Sequence, residues 1–511
     1  MVPSGSPCTV PTTAAILPER IRSEGAVDNS ADAAFSAQET GAAFMGWMLI
    51  SSRKNRADAS RVAPVAAAGI GPIVRLARGA GQQRALVGSL AIMVVVAGLV
   101  ATLTIEATVA QSSHPKLKEA IASVVLFRPL VPHVVQLNPW HYVTLVWLAL
   151  LFQWVVYLSL LWRLRARMSM NPRLVAIGAV VLGLFAVVTP PALSSDVFMY
   201  AIFGRIGAVY DLNPYLHSAN AAASTDAMFP LAAWPNIPTP YGPIWTLVSQ
   251  ALAMGHGSTP LDTVLRFKLL AFTAVLVDGF LIYVLVRRRS PESAPWAYAA
   301  FAWNPLVLAE GGAAAHNDAL ILCLVLTGIL ALGRSWGRAG VAGLTLAALV
   351  KYTTLPLLVV ATLPAIKRTP GRRRLWMLLQ FGLIVLLIAW ASFLPFLTGG
   401  GNVLLSAAAE PGRGVNNPLS IGLKGAVSLA TGGVQLSARS LAAIALLVFG
   451  GWLVRSTWER WRAADDSTDD EDTLAASASA CLLFLVLWPR IHTWYFLIPL
   501  GLAAAACQSP G

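Results

Sequence analysis

A single aspartate follows a long apolar run in the segment SSDVFMY (194–200). A carboxylate at such a boundary has two readings. Asp is a favoured helix N-cap, so Asp196 can simply start a short amphipathic helix expected over 197–210. It can also act as a general base, whose pKa partial burial raises and a neighbouring cation such as Arg205 lowers. The same choice recurs at His316, Asn317 and Asp318, which open the apolar run beginning at 319. They are caps, or they orient a sugar or phosphate. His316 has no HxxxH partner and no nearby Cys, so the zinc reading is weak and no metal ligand is assigned.

Lys351 is the hardest of these residues to explain as structure. It stands in an apolar segment, where a membrane-centre Lys costs about 2.5–3.5 kcal/mol on insertion scales. Snorkelling to the interface is one escape. A phosphate partner is the other. Arg413 and Arg490 are either interfacial anchors or further phosphate cations. Tyr241, Trp494 and Tyr495 are either belt aromatics or sugar-stacking platforms. Tyr200, Arg205, Asn213, Tyr215, Asn416 and His492 complete the candidate substrate-binding set.

These residues need elements to position them, and composition says what kind. The chain has 511 residues, a net charge of +13, 56% hydrophobic residues and only 12% charged ones. A soluble domain carries about 25% charged residues, so a cytosolic enzyme is disfavoured. Disorder is excluded for most of the chain, because disorder needs low hydrophobicity. Residues 1–84 differ. They are rich in Ala, Ser, Pro and Gly, and read as a disordered cytoplasmic tail without a signal peptide, or as an over-extended start upstream of Met45.

Apolar runs follow at 86–105, 141–162, 174–190, 268–286, 294–309, 319–333, 375–397, 437–454, 474–488 and 490–507. The segment 339–366 is apolar but interrupted by Lys351 and Pro356, and 243–255 is short. Of the 37 Lys and Arg residues, 24 fall in 51–84, 163–173, 287–293, 334–338, 367–374 and 455–473. The positive-inside rule places those loops in the cytoplasm. That choice requires 339–366 to be a hairpin broken near Lys351, and 243–255 to be re-entrant or interfacial. The expectation is an all-α polytopic membrane protein of about twelve spans with re-entrant or juxtamembrane helices, both termini inside. A pI near 10 then records orientation and does not call for nucleic acid.

With this threading, six polar clusters from distant parts of the chain lie on the outer face. They include NPY (213–215), TPYGP (239–243), EGGAAAHND (310–318), EPGRGVNNPLS (410–420) and WPRIHTWY (488–495). Ionisable groups at a membrane boundary are costly and tend to mark function. No P-loop, Ser–His–Asp pattern or HExxH occurs. An enzyme with an outer-face site cannot draw on cytosolic nucleotide sugars, whereas a lipid-linked donor would reach it. The acidic run DDSTDDED (465–472) reads as a solvated loop.

At these residues the chain resembles the GT-C glycosyltransferases. More narrowly, it resembles the actinobacterial polyprenyl-phosphate-mannose-dependent α-1,6-mannosyltransferases that elongate mannan cores. The likeness covers most of 86–507. It rests on SSDVFMYAIFGR with LNPY, WPNIPTPYGPIW, GGAAAHNDALIL, the Lys351 segment and HTWYFLIPL. It implies a multi-span helical domain over 85–508 in the cell membrane, with an extracytoplasmic site. It implies inverting transfer from a polyprenyl-phosphate sugar, mannose by resemblance, to a glycan or lipoglycan acceptor. Asp196 would be the base, with no nucleotide cofactor, and a divalent metal is left open. Two features depart from the pattern. Asp196 lies in the second expected outer loop, and Ser195 stands where many relatives carry a second acidic residue.

The expected mechanism has Lys351, with Arg413 or Arg490, holding the phosphate. Asp196 takes the acceptor proton, while His316, Asn317 and Asp318 orient the sugar. Tyr200, Tyr215, Tyr241, Trp494 and Tyr495 shape the sugar subsites. The competing readings are a transporter or lipid flippase, which would place its polar site near the midplane, and a non-catalytic scaffold.

Overall fold

The computed structural model describes residues 71–111, 115–126, 138–165, 170–191, 194–254, 259–397, 414–463 and 470–507. The chain divides into two units at Gly71/Pro72, and the described architecture is that of the second. Of the expected tail, 1–70 lie outside the described residues, whereas 71–84 are already helical.

Every described element is helical. The first four helices are α1 (Gly71–Gln111), α2 (Pro115–Ala122), α3 (Pro139–Arg165) and α4 (Pro172–Val188). Next come α5 (Asp196–Ala208), α6 (Pro243–Ala253), α7 (Pro260–Arg287) and α8 (Ala294–Ala302). After a π-helical stretch (Val307–Ala313) follow α9 (Asp318–Gly333), α10 (Gly337–Val350), α11 (Leu355–Arg368) and α12 (Gly371–Phe393). The described chain ends with α13 (Pro418–Ala430), α14 (Ala438–Arg462), α15 (Asp470–Leu487) and α16 (Leu497–Ala505).

Several starts share one local grammar. Asn171 before Pro172, Thr259 before Pro260 and Asn417 before Pro418 each accept a backbone N–H of the first turn. The side chain satisfies an orphan donor, and proline at the first helical position has no N–H to satisfy.

Among the described residues, five helices are long and apolar enough to cross a membrane: Leu86–Thr108, Trp140–Arg163, Pro260–Arg287, Gly371–Phe396 and Ala438–Arg462. A sixth span arises if the π-helix and α9, bent by 105°, count together. Their outward faces carry exposed Leu, Val, Ile and Trp, as lipid contact requires. The protein is a polytopic all-α membrane protein, but the expected twelve spans are not all matched by helices of spanning length. The run 294–309 is split, because α8 stops at Trp303 just before Asn304 and Pro305. The run 490–507 is a 3₁₀ turn at Thr493–Phe496 followed by the nine residues of α16.

Two expected irregularities are present. The helix over 339–366 breaks at Lys351, whose backbone is extended. The 243–255 segment is the eleven-residue α6, about 17 Å long and too short to span. One expectation fails. Helix α5 is not an amphipathic surface helix, since Val197 and the run Met199–Ile206 are all buried. The start of α7 ties these pieces down. Arg266 donates to the carbonyls of Leu252 (3.2 Å) and Met254 (2.9 Å) at the end of α6. Lys268 donates to the carbonyls of Ala186 and Thr189 at the end of α4. From there α7 runs about 30 Å further, at 1.5 Å per residue, to the basic loop at its other end.

Candidate active site

Asp196 is the first residue of α5, yet its side chain is not spent on capping. Ser195 holds the cap position without a side-chain bond, and Ser194 Oγ accepts the Asp196 N–H at 3.2 Å. The Asp196 carboxylate instead accepts from the hydroxyls of Tyr241 (3.2 Å) and Tyr200 (3.4 Å) on one oxygen, Oδ2. Tyr200 lies one helical turn further along, buried edge-on against Tyr241 and Trp245. Burial first, then the charges of Asp196 and Asp318, hold the Tyr200 hydroxyl well above its ordinary pKa, so it stays a neutral donor.

Tyr241 is placed by backbone as much as by packing. The Tyr215 hydroxyl donates to the Tyr241 carbonyl at 2.9 Å and meets Thr246 at 3.0 Å. Gly242 follows, and its N–H donates to the Val350 carbonyl at 3.1 Å. A Cβ on Gly242 would lie 2.0 Å from the Leu349 carbonyl oxygen, so only glycine allows this approach. Gly204 does the same for α5, where a Cβ would sit 2.2 Å from the Ser249 carbonyl oxygen of α6.

The second contribution comes from the π-helix. Pi-helical turns recur at functional sites because the extra residue re-aims side chains. Here the chain leaves it through Ala315 at φ +56° and turns into α9. His316 is thereby fully buried. Its Nδ1 lies 3.8 Å from Asp196 Oδ2 and 3.5 Å from the Tyr200 hydroxyl. Its Nε2 lies 3.3 Å from Glu310 Oε2. The other Glu310 oxygen accepts from the Thr493 hydroxyl. The His316 ring stacks on Trp494 at 4.1 Å, and His492 stacks on Trp494 at 4.3 Å. Trp494 is thus sandwiched between two imidazoles and offers no open face to a sugar. Burial first, then the neighbouring Arg490, Lys351 and His316, push His492 down to about 3.

The third contribution is an ion pair. Lys351 Nζ contacts both Asp318 oxygens at 3.0 Å and lies 4.3 Å from the centre of the Tyr495 ring. Asp318 begins α9 and Lys351 closes α10, so each charge also faces the favourable end of a helix dipole. Neither snorkelling nor a bare cation describes Lys351. It is a part-buried ammonium matched by a carboxylate, with a side chain 15% exposed. Neither amide atom of the buried Asn317 has a hydrogen-bond partner among the described residues.

The remaining candidates do other work. Arg205 is bound to Asp226 at 2.7 Å, a carboxylate that also accepts from Tyr210. Asn213 bonds the Phe396 carbonyl at 2.9 Å. Asn416 clamps the backbone of Ile491 in both directions, at 3.1 and 2.7 Å. That clamp sets Gly414 beside Arg490, whose guanidinium would lie 3.7 Å from a Cβ at Gly414. Arg413 lies outside the described residues.

Glu310 is the residue that sequence reading passed over. A lone Glu beside a π-forming EGG in an apolar stretch was the available signal. Its carboxylate and that of Asp196 flank His316 on opposite ring nitrogens, so the three do not share a point. Among the described residues, no three His, Cys, Asp or Glu side chains are disposed to hold a metal ion.

The family model described as "Alpha-(1->6)-mannopyranosyltransferase, N-terminal domain" matches residues 94–367, more than half of the 511-residue chain. A probable alpha-(1->6)-mannopyranosyltransferase of Mycolicibacterium smegmatis is 30% identical over 146 residues, 28% of this chain and 25% of that protein. Alpha-(1->6)-mannopyranosyltransferase A of Mycobacterium tuberculosis is 26% identical over 336 residues, 62% of each chain. Its namesake in Corynebacterium glutamicum is 27% identical over 185 residues, 35% of this chain and 37% of that protein. The chain therefore spans between a quarter and 62% of these relatives' lengths. No solved structure matches.

Proposed function

We propose that this chain, which belongs to the alpha-(1->6)-mannopyranosyltransferase family, is a membrane glycosyltransferase. It transfers mannose from a polyprenyl-phosphate donor to a glycan or lipoglycan hydroxyl on the extracytoplasmic face, with inversion, forming an α-1,6 link. The observation that carries the reading is the state of Asp196. Its carboxylate is not used as a cap, is oriented by two tyrosine hydroxyls, and keeps 16% of its side chain exposed.

In the reaction, Asp196 takes the proton of the acceptor hydroxyl as that oxygen attacks the anomeric carbon. The sugar–phosphate bond breaks on the opposite face, and the phosphate leaves with the electron pair. Phosphate is a good leaving group, so the second carboxylic acid that glycosidases use as proton donor is not required. Lys351 meets the developing negative charge. An ammonium has three donors, and Asp318 takes two of them in an orientation fixed before substrate arrives. Arg490 and Arg413 are the further cations for this phosphate. Asn317, with both amide atoms unpartnered, is suited to a sugar hydroxyl. Tyr495, lying under Lys351, bounds the sugar subsite. The steps use no nucleotide cofactor, and none of them is assigned to a metal.

The discontinuous helices at Lys351 and at the π-helix are also what a transporter would use. One assay separates the two. Purified protein in nanodiscs receives radiolabelled polyprenyl-phosphate mannose and an α-1,6-mannooligosaccharide. Chain elongation that falls about 10²–10⁴-fold in a folded Asp196→Asn protein supports the enzyme. Elongation at the wild-type rate by that variant overturns the assignment, and donor translocation without elongation supports the transporter.

A further inference from the structure

We propose that the corner between the start of α10 and the start of α12 binds the headgroup of an anionic phospholipid. This corner is separate from the candidate active site. Helix α10 carries Arg338 at its start and is closed by Lys351, about 20 Å away at 1.5 Å per residue. No Asp or Glu occurs between Asp318 and Glu410, yet eight Lys and Arg residues do. Lys351 is matched by Asp318, while Lys367 and Arg374 are spent on helix carbonyls. Arg338 is exposed and its Nε donates to a neutral partner, Gln380 Oε1, at 3.3 Å. Arg372 and Arg373 are exposed and have no carboxylate partner among the described residues.

Two contacts set the shape of the corner. One is the Arg338–Gln380 bond, and the other is Gly337, where a Cβ would lie 3.2 Å from the Phe381 ring. The start of α10 is therefore level with Gln380. The two helices run parallel, because their far ends also meet: Tyr215 stacks on Phe396 and bonds Tyr241, whose neighbour Gly242 bonds Val350. Residues 371–379 of α12, about 14 Å of helix, thus project beyond α10. On α12, Gln380 shares a face with Trp376 and Arg373, four and seven residues earlier. That face lies open, with Trp376 66% exposed, and the turn before α10 adds Trp336, 64% exposed. Leu375, Leu378 and Leu379 are exposed beside them. The corner stands where apolar, lipid-facing surface gives way to guanidiniums. Tryptophan is enriched at that depth, and a guanidinium grips phosphate oxygens as a fork. An anionic headgroup adds the net negative charge that a zwitterionic one lacks. A soluble anion would meet the charges but has no use for two open indoles among leucines.

The test is equilibrium binding of tritiated phosphatidylglycerol or phosphatidylcholine to the immobilised full chain in detergent. Each cation at an anionic surface contributes about fivefold, so the wild type prefers phosphatidylglycerol by about 30-fold. Arg338→Gln with Arg373→Gln lowers that preference at least about tenfold and leaves phosphatidylcholine binding within about twofold. Both side chains are exposed, so the melting temperature of the double variant stays at the wild-type value and separates lost binding from lost folding. Arg455→Gln removes another exposed guanidinium, one already paired with Glu459, and keeps the wild-type preference. Equal binding of the two lipids by the wild type overturns the inference. So does an equal loss in Arg455→Gln, which would make net charge the cause. Displacement of the bound lipid by millimolar inorganic phosphate also overturns it, since the site would then take a free anion.

Discussion

The two ends of α7 use the same residue types for different work. Near its start lie the ionisable groups of the site, buried or half-buried and matched inside the protein: Asp318 on Lys351, Glu310 against His316, Asp196 under two tyrosines. At its finish Arg288 meets Asp470 at 3.3 Å and Arg289 approaches Glu471 at 3.9 Å, with side chains 39% and 16% exposed. Other basic groups there bond helix carbonyls, Lys367 to Arg460 and Ala463, and Arg374 to Thr369 and Lys367. These cations close C-terminal helix ends and sit where orientation signals belong. At the site end water is largely excluded, so each charge acts on its neighbour through a low dielectric. At the basic end Arg288 is open to solvent, and a screened pair such as Arg288–Asp470 matters little.

That contrast can be broken most directly at Lys351. Lys351→Met leaves Asp318 buried and uncompensated, and stability should fall by about 3–5 kcal/mol along with activity. Lys351→Met with Asp318→Leu should recover most of the stability and none of the transfer activity. Thermal unfolding in detergent beside the elongation assay reads both. If the double variant is active, Lys351 has no part in catalysis.

A smaller effect is expected at Gly242. The added methyl of Gly242→Ala must push Tyr241 away from Leu349, at a cost of about 1–3 kcal/mol. The kcat should fall more than about tenfold if Tyr241 orients Asp196 as the proposed base. A variant with unchanged kcat would show that the Tyr241 contact to Asp196 is incidental.

His492 gives a pH signature. Its folded pKa is about 3, against about 6.5 for a free imidazole. The unfolded chain therefore takes up a proton below about pH 6.5 that the fold refuses. Stability falls progressively from there towards pH 3. His492→Phe keeps the stack on Trp494 and should lose less melting temperature than wild type between pH 7 and 5. An identical loss in both proteins contradicts the assignment. The smallest effect belongs to the basic end, where Arg288→Ala should change stability by about 0–1 kcal/mol and leave kcat unaltered.

The legible parts of the fold were those fixed by local pattern. Five long apolar stretches are helices of spanning length, and an apolar helix carrying Lys351 with Pro356 beyond it does break there. Asn304–Pro305 is an equally local stop signal within 294–309, and it interrupts the helix that the apolar run alone suggests. The illegible parts were set by partners far along the chain. The helix expected to be amphipathic is buried instead, and its Arg205 finds a buried counter-charge in Asp226, 21 residues away. Trp494 suggested a sugar platform because nothing in HTWY tells that His316, nearly 180 residues earlier, takes one face. The acidic run at 465–472 looked merely solvated, yet Asp470 and Glu471 face the arginines that end α7.

The hydrogen bond from Gly242 to Val350 joins the loop that carries Tyr241 to the residue just before Lys351. Any displacement of one is therefore a displacement of the other. Remodelling residues 239–243 to admit a bulkier acceptor would slide the ammonium against its carboxylate and, in the proposed mechanism, alter the grip on the donor phosphate. Acceptor range and donor affinity then behave as one inherited trait, and selection for either would drag the other with it.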